Sequence, residues 1–568
     1  MSKDSERRVD EVRARSSDLE NHLVDELRAG RLSRREFVRN GTVVGMSMTT
    51  IGLLASACGG QQSSTSSGNQ GGTSAQSAKV DPGGTIRAGI VAPASDLDPF
   101  KVNNEGALAV LGQTGEYLAR SNSKLELEPR LAESWQPNRD ASAWTFQIRQ
   151  GVTFHNGEPL TAEDVAATIN AHADPDNGSN ALSAIAGVVS KGAAKAVDDS
   201  RVEVQLDAPN GNFPYLVSSD DNYNLIILPK GYDFSKWKDD FLGTGPWKLE
   251  QYTPDIGVTY VRNRDYWDKS HMANPDKIEL KFYGKEQARI LGLQGGEVDL
   301  MSNFSVTGGK ALLNDANLTT MESRASVHRQ IHMRTDKGAL ADKRVRQAVA
   351  LLLNRRNLVD GLFDEKADFG NDSPFAPVFP DTDKSVPQRQ QDVERAKALL
   401  QDAGVGSLDL TLTTWDGFEI PQLAQLIQND LKAGGVDVKL NITDAGTYYG
   451  DAVFGKSPWL DSEFGITDYG HRGVPNVFLT APLKSGGAWN AAHFKNKTYD
   501  KVTDDYVAAL EPGQKKQLAK QIQELLLDES PMIVPYFYFL LTAARKNVAG
   551  VEVSAQGHVD LQGAGFTA

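Results

Sequence analysis

Apolar side chains along the chain follow two periods, and the switches between them outline the elements. Trp144, Phe146 and Ile148 alternate with Thr145, Gln147 and Arg149, the period of two expected of a half-buried strand, and Val202, Val204 and Leu206 repeat it. Thr161-Ala162-Glu163-Asp164 reads as a helix N-cap with an acid at the third position, opening a helix over 162–173. Val345, Val349 and Leu352 predict a helix after Asp342. Residues 395–404 predict another, with Leu399 and Leu400 on its buried face and Gly404 as its stop. The next segment carries both periods. Leu408, Leu410 and Leu412 alternate, Leu423, Leu426, Ile427 and Leu431 follow at helical spacing, Gly434-Gly435 breaks the helix, and Val436, Val438, Leu440 and Ile442 alternate again. This is a β-α-β unit, with parallel strands and a right-handed crossover expected. No internal repeat is visible.

The first 84 residues have a different character. Ser33-Arg34-Arg35-Glu36-Phe37-Val38 looks like a twin-arginine export signal, with Arg34 and Arg35 as its reading pair, ahead of a mildly apolar run over 41–57. That run, about 17 residues rich in Gly, Ser and Thr, is too short and polar for a membrane span of roughly 20 apolar residues. Ala55-Ser56-Ala57-Cys58 resembles a lipid-attachment box, although Ala55 stands where Leu is preferred; it also satisfies the small-x-small rule of ordinary cleavage, which would release a soluble protein. Cys58 is the only cysteine, so an internal disulfide or a cysteine metal cage is excluded. Residues 59–84, mostly Gly, Ser, Gln and Thr, read as a flexible tether with a reach of about 25 to 30 Å. Residues 1–57 are expected to be removed with the signal.

The remaining body of about 510 residues is too long for one ordinary core and is expected to divide into two or three lobes. Net charge is −14 for the whole chain. Residues 1–57 hold ten basic and nine acidic side chains, so the body carries about −15. An acidic body argues against nucleic-acid binding and against adsorption on anionic lipid without an anchor. The nine histidines show no His-Glu-x-x-His spacing, and neither a nucleophile elbow nor a phosphate loop is present. No cofactor, bound metal or catalytic residue is expected.

Several longer motifs then fall into one pattern. Leu131-Ala132-Glu133-Ser134-Trp135, the run from Ile148 to Gly157 with its His155-Asn156-Gly157 turn, and Leu160 to Val165 resemble the extracytoplasmic solute-binding proteins of peptide- and nickel-type ABC importers, bacterial solute-binding family 5. The resemblance continues through Gly243-Thr244-Gly245-Pro246-Trp247, Gly296-Glu297-Val298-Asp299, the run from Asp342 to Val349 and Pro535-Tyr536-Phe537-Tyr538, spanning 85–562. It implies an α/β, two-lobed periplasmic-binding-protein fold of type II that closes over its ligand by a hinge. Lobe I would comprise 85–124, 216–331 and 533–568, its extra subdomain 125–215, and lobe II 332–532.

The resemblance also implies a site. The family pattern Gly-Trp-x-x-Asp-Tyr is matched, with one position fewer before the aspartate, by Gly465, Ile466, Thr467, Asp468 and Tyr469; in peptide-binding members the aspartate pairs with the ligand's α-ammonium group. Ile466 replaces the tryptophan, and His471-Arg472-Gly473-Val474 intervenes before Pro475, so the ligand type is open. For Asp468 the alternative is a loop-capping acid. Trp415 follows a strand end, where open α/β sheets place ligands. Trp459, Trp489 and Phe100 lie in loop-like stretches, as pocket or core residues. Asp98, with Asp96 and Pro99, matches a loop bordering the cleft in relatives, or caps a turn.

Together these readings describe an exported, lipid-anchored and monomeric binding protein outside the cytoplasm. It is expected to capture a solute, most readily a short peptide, for an ABC permease and ATPase that are separate chains. The alternatives are an exported hydrolase on a related scaffold and a chemosensory receptor subunit. Metal complexes as cargo remain compatible with the family, whereas His155 is read as a turn residue.

Overall fold

The computed structural model describes residues 80–94, 97–556 and 558–567. Arg34, Arg35, Cys58 and the tether up to residue 79 lie outside them. The chain divides into two units: one holds the described residues through Phe304, Ala311–Ser323 and the stretch from Thr542, and the other Ser305–Lys310 and Arg324–Leu541. Among the described residues no helix is long and apolar enough to cross a membrane.

The first unit is built on a seven-stranded mixed sheet. Its order is Leu318–Ser323, Leu540–Arg545, Leu300–Met301, Thr85–Val91, Lys277–Tyr283, Gly257–Arg262 and Trp247–Thr253. Thr85–Val91 pairs in parallel on both sides and buries Ile86, Ala88 and Ile90. A separate four-stranded antiparallel sheet runs in the order Ala132–Pro137, Ala143–Ile148, Arg201–Gln205 and Ala194–Asp198. Trp144, Phe146, Ile148, Val202 and Val204 are buried, as their alternation predicts. Beside this sheet the helix Ala162–Ala173 starts with Asp164 accepting from the Thr161 backbone N–H at 2.7 Å and its hydroxyl at 2.8 Å.

Two signature motifs of this unit have packing explanations. A Cβ on Gly243 would lie 1.9 Å from the Thr114 carbonyl oxygen, and one on Gly245 2.7 Å from it, so only glycine lets the backbone pass there. The same crossing is fixed by buried Glu116, which accepts from Arg130 (3.0 Å), Tyr266 (2.9 Å), Trp267 (2.7 Å) and Thr244 (2.9 Å). His155 belongs to it as well: its backbone N–H donates to Gly243 and its Nε2 lies 3.0 Å from the Gly245 carbonyl.

The second unit holds the other seven-stranded sheet. Its order is Ala367–Phe369, Tyr536–Tyr538, His328–Met333, Phe464–Tyr469, Leu408–Trp415 and Val436–Thr443, with Met532–Ile533 also pairing His328–Met333. The β-α-β unit is present as expected: Leu408–Trp415 and Val436–Thr443 pair in parallel over their full length, joined by the helix Ile420–Lys432. Leu423, Ile427 and Leu431 are buried, while Leu426 is partly buried against the same core. The helix Lys343–Leu352 is capped by Asp342 and buries Val345, Val349 and Leu352. The helix expected over 395–404 is Val393–Asp402, starting earlier because the Asp392 side chain accepts from the Arg395 backbone N–H. It buries Leu400 and leaves Leu399 partly exposed.

The lobe boundaries expected at 332 and 532 are displaced outward. His328–Met333 lies inside the second sheet, paired to Phe464–Tyr469 over its whole length, and Tyr536–Tyr538 joins the same sheet. The second unit therefore begins its main segment at Arg324 and ends it at Leu541.

Several imidazoles are sealed in these cores. His172, His328 and His332 are at most 1% exposed. Burial holds the first down to about 3 and the other two to about 4. A histidine whose folded pKa is depressed contributes stability that is complete above its ordinary value near 6.5, and that contribution is lost as pH falls toward the folded value. The thermal unfolding midpoint should thus be flat from pH 8 to 7 and fall steadily from pH 6.5 to 4. At roughly 1.4 kcal/mol per pKa unit the three groups together cost several kcal/mol by pH 4. Scanning calorimetry across this range checks it, and equal midpoints at pH 7 and 5 would refute it.

Candidate functional site

The residues expected to form the site gather mainly in the second unit, where Phe464–Tyr469 runs parallel to Leu408–Trp415 and antiparallel to His328–Met333. Strand alternation sends Phe464 and Ile466, with Ile331 and Met333 opposite them, into the hydrophobic core. Further along the same face, at the carboxyl end of the strand, Asp468 stands opposite Arg329. The other face presents Gly465, Thr467 and Tyr469 opposite His332, Gln330 and His328.

Two residues expected to touch ligand are enclosed by the packing of the sheet. Ile466 is fully buried in the core, and its carbonyl accepts from Tyr448 and Thr414, each at 2.8 Å. Gly465 is required by packing, since a Cβ there would lie 2.5 Å from the His332 ring and 2.9 Å from the Thr413 carbonyl. The isoleucine that replaces the family tryptophan is thus a core residue.

Asp468 is half-buried, and its Oδ1 accepts the hydroxyl proton of Tyr449, which also lies 3.1 Å from the Thr467 hydroxyl. Burial, followed by the Asp468 charge, pushes the Tyr449 phenol far up, so it stays a donor. Across the ladder, Arg329 has a 1% exposed side chain. Its Nη2 donates to Glu419 at 2.9 Å and its Nη1 to Tyr538 at 3.3 Å. The guanidinium lies 5.0 Å from the Phe418 ring centre and 4.9 Å from that of Tyr538. Burial opposes the charge, but Tyr538, Glu419 and Asp468 outweigh it and hold the arginine well above its ordinary value. Glu419 also accepts from Tyr536 at 2.8 Å. One cation thus faces two carboxylates. Glu419 holds the close ion pair, and Asp468 carries the surplus negative charge.

Aromatic rings extend from this point as a ribbon. Trp415 contacts Phe418 (5.5 Å between ring centres) and Tyr449 (5.9 Å), and Tyr449 contacts Trp459 (5.3 Å). Trp459 contacts Trp489 (6.4 Å), Trp489 contacts Tyr469 (6.2 Å), and Tyr469 stacks on His328 (5.4 Å). Trp415, Trp459, Trp489, Tyr469 and Asp468, picked out separately in sequence, are brought together. Tyr449, Arg329, Glu419, Phe418 and Tyr538 were not foreseen. The signal that existed for them was a charge inside an otherwise strand-like run at Arg329 and the adjacent pair Tyr448-Tyr449.

The remaining candidates belong to the first unit. Phe100 stacks on Phe234 at 4.2 Å and 11° and meets His172 edge-on at 5.0 Å, as a packing residue. The Asp98 carboxylate accepts from the Phe100 backbone N–H at 2.8 Å, which makes it a turn cap. Among the described residues no group of three or more His, Cys, Asp or Glu is placed to hold a metal ion.

Removing one partner of a buried pair leaves the other charge uncompensated. Arg329→Met should therefore lower the stability of the protein by about 3 to 5 kcal/mol in urea unfolding, whereas Phe418→Ala, at the exposed end of the ribbon, should cost under about 1 kcal/mol. Similar losses for the two variants would show that Glu419 finds water once the arginine is gone.

Residues 126–476 match the family described as "Bacterial extracellular solute-binding proteins, family 5 Middle". The chain is 27% identical over 460 residues to di/tripeptide-binding protein 2 of Pseudomonas aeruginosa (strain UCBPP-PA14), covering 75% of this chain and 84% of that protein. It is also 27% identical over 503 residues to the dipeptide-binding protein DppE of Bacillus subtilis (strain 168), covering 83% and 89%. Among solved structures, the periplasmic binding protein DppA of Helicobacter pylori in complex with the peptide STSA superposes with a TM-score of 0.70 at 20% identity, over 86% of this chain and 99% of that one. That likeness shows the fold, two-lobed and mixed α/β. With the family match covering more than half of its length, the chain belongs to the bacterial extracellular solute-binding proteins of family 5.

Proposed function

We propose that the protein is an exported, lipid-anchored receptor that captures a short peptide and delivers it to an ABC importer, with Asp468 as the group that takes the peptide's free amino terminus. The observation that carries this reading is the charge balance at the strand end. Asp468 is kept in place by Tyr449 and left with a negative charge that Arg329, committed to Glu419, does not cancel. A half-buried carboxylate beside a wall of aromatic rings favours an ammonium group, because an ion pair strengthens as water is excluded from around it. The peptide-binding names of the relatives support the choice of cargo. Arg34-Arg35 and the placement of Cys58 before a polar tether support twin-arginine export and lipid attachment.

The hydrolase reading needs a serine activated by a base. Two Ser–His contacts lie next to the site: Ser462 Oγ is 3.1 Å from Nε2 of His332, an imidazole sealed in the core, and Ser326 Oγ is 3.0 Å from His471 Nδ1, but Ser326 is fully buried and also exchanges hydrogen bonds with the backbone of Arg472. It fastens the inserted His471-Arg472 segment and offers no exposed nucleophile.

Asp468→Asn keeps the side-chain size and removes the charge, which should cost about 2 to 5 kcal/mol for a free-amine peptide, roughly thirtyfold or more in affinity. N-acetylated peptides should bind wild type weakly and respond little to the substitution. Calorimetric titration of both peptide forms against both proteins reads this directly, and equal affinities of the two proteins for the free amine would make Asp468 structural. Separately, Cys58→Ala should move the protein from the membrane to the soluble fraction, because the acidic body has no other lipid affinity. A wild-type protein already soluble after export would favour ordinary cleavage.

A further inference from the structure

The chain first leaves the first unit for the second after Phe304 and returns at Ala311. Just before this crossing Asn303 has a left-handed backbone, φ 41°, a conformation that residues with a side chain visit rarely and asparagine more than most. Neighbouring segments hold it there. From the helix Glu286–Gln294, Arg289 Nη2 donates to the Asn303 carbonyl at 2.6 Å. Glu105, at the start of the helix Glu105–Thr114, hydrogen-bonds the Asn303 side chain and accepts the Ser302 hydroxyl at 3.2 Å. The Ser302 backbone N–H donates to the Gly89 carbonyl of the central strand at 3.3 Å.

Two glycines make room for this arrangement. A Cβ on Gly106 would lie 2.0 Å from the Val91 carbonyl oxygen, so the helix that carries Glu105 starts against the strand end only because glycine stands there. A Cβ on Gly89 would press on the Arg289 side chain at 3.2 Å. Arg289 is 4% exposed; burial holds its guanidinium below the ordinary value, opposed by Glu105 and then Glu286. Burial pushes the Glu105 carboxyl up, while Asn303, Arg289 and Ser302 pull it back. The two charges and the asparagine hold one another in place.

Past the crossing the chain is seated again. Val306 packs against the hydrophobic core of the second unit. Ser305 closes a turn, its hydroxyl accepting from the Gly308 backbone N–H at 3.0 Å and its carbonyl from that of Gly309 at 2.8 Å. Only Phe304 and Ser305 separate the two seats, so the α-carbons of Asn303 and Val306 are at most about 11 Å apart. We propose that Glu105 and Arg289 clasp Asn303 as the fixed end of this link, which makes the first crossing a taut anchor of the chain and not a flexible linker. Charge-assisted hydrogen bonds suit the task, because they are the stronger kind and fix direction as well as distance.

Hydrogen exchange of the whole protein, read by mass spectrometry over residues 302–310, tests the anchor, with the strands Thr85–Val91 and Leu408–Trp415 as controls. Asn303→Gly keeps the left-handed backbone accessible and deletes the side chain that Glu105 holds. Glu105→Ala removes the acceptor that Asn303 and Ser302 share. In both variants exchange over 302–310 should rise about tenfold or more while the control strands stay as in the wild type. Unchanged exchange over 302–310 in Asn303→Gly overturns the proposal. So does an equal rise in the control strands, which would make Glu105 and Asn303 general supports of the fold, and so does a wild type that already exchanges over 302–310 as fast as an unstructured peptide.

Discussion

A guanidinium shut away from water must be neutralised where it stands, and the second unit is arranged around that requirement at Arg329. Its partners arrive from separate parts of the chain. Glu419 comes from the turn after Leu408–Trp415, Tyr538 from a strand near the C-terminus, and Asp468 from the neighbouring strand. Breaking even against desolvation takes good geometry for such a group, and here two carboxylates, a phenol and two ring faces share the task. The outcome is asymmetric. Glu419 is neutralised at close range, whereas Asp468 is oriented by Tyr449 and remains electrostatically open.

Much of the architecture was legible in the sequence because it rests on local periodicity. The alternation at Trp144 to Ile148, the box from Thr161 to Asp164 and the β-α-β segment from Leu408 to Ile442 each depend on residues close in the chain, and each forms as read. The lobe boundaries were not legible in the same way. Assigning His328–Met333 to the second sheet requires its pairing with Phe464–Tyr469, more than a hundred residues away, and no local pattern carries that pairing. The long motifs that carried the family resemblance prove largely to be packing devices, as Gly243, Gly245 and His155 illustrate.

The site was legible in part for the same reason. Aromatics at strand ends and in loops were visible as single residues, but their union into one ribbon runs through Tyr449, whose role depends on where its short helix returns to the sheet. The motif that pointed to Asp468 and Tyr469 also suggested Gly465 and Ile466 as contacts, and these two are enclosed by the packing around the strand. Ile466 shares a face with the apolar core, and Gly465 is closed over by His332. A linear motif does not record which of its members face inward.

The strand order of the two sheets has a consequence for biosynthesis. Tyr536–Tyr538 completes part of the second sheet, and Leu540–Arg545 sits between Leu318–Ser323 and Leu300–Met301 in the first. Neither sheet is whole until the segment from Met532 to Arg545 has left the ribosome. The high share of distant pairings makes folding a late event of the entire chain, with strand edges open throughout synthesis. Loss of the short segment from Met532 to Arg545 would leave both sheets incomplete at once.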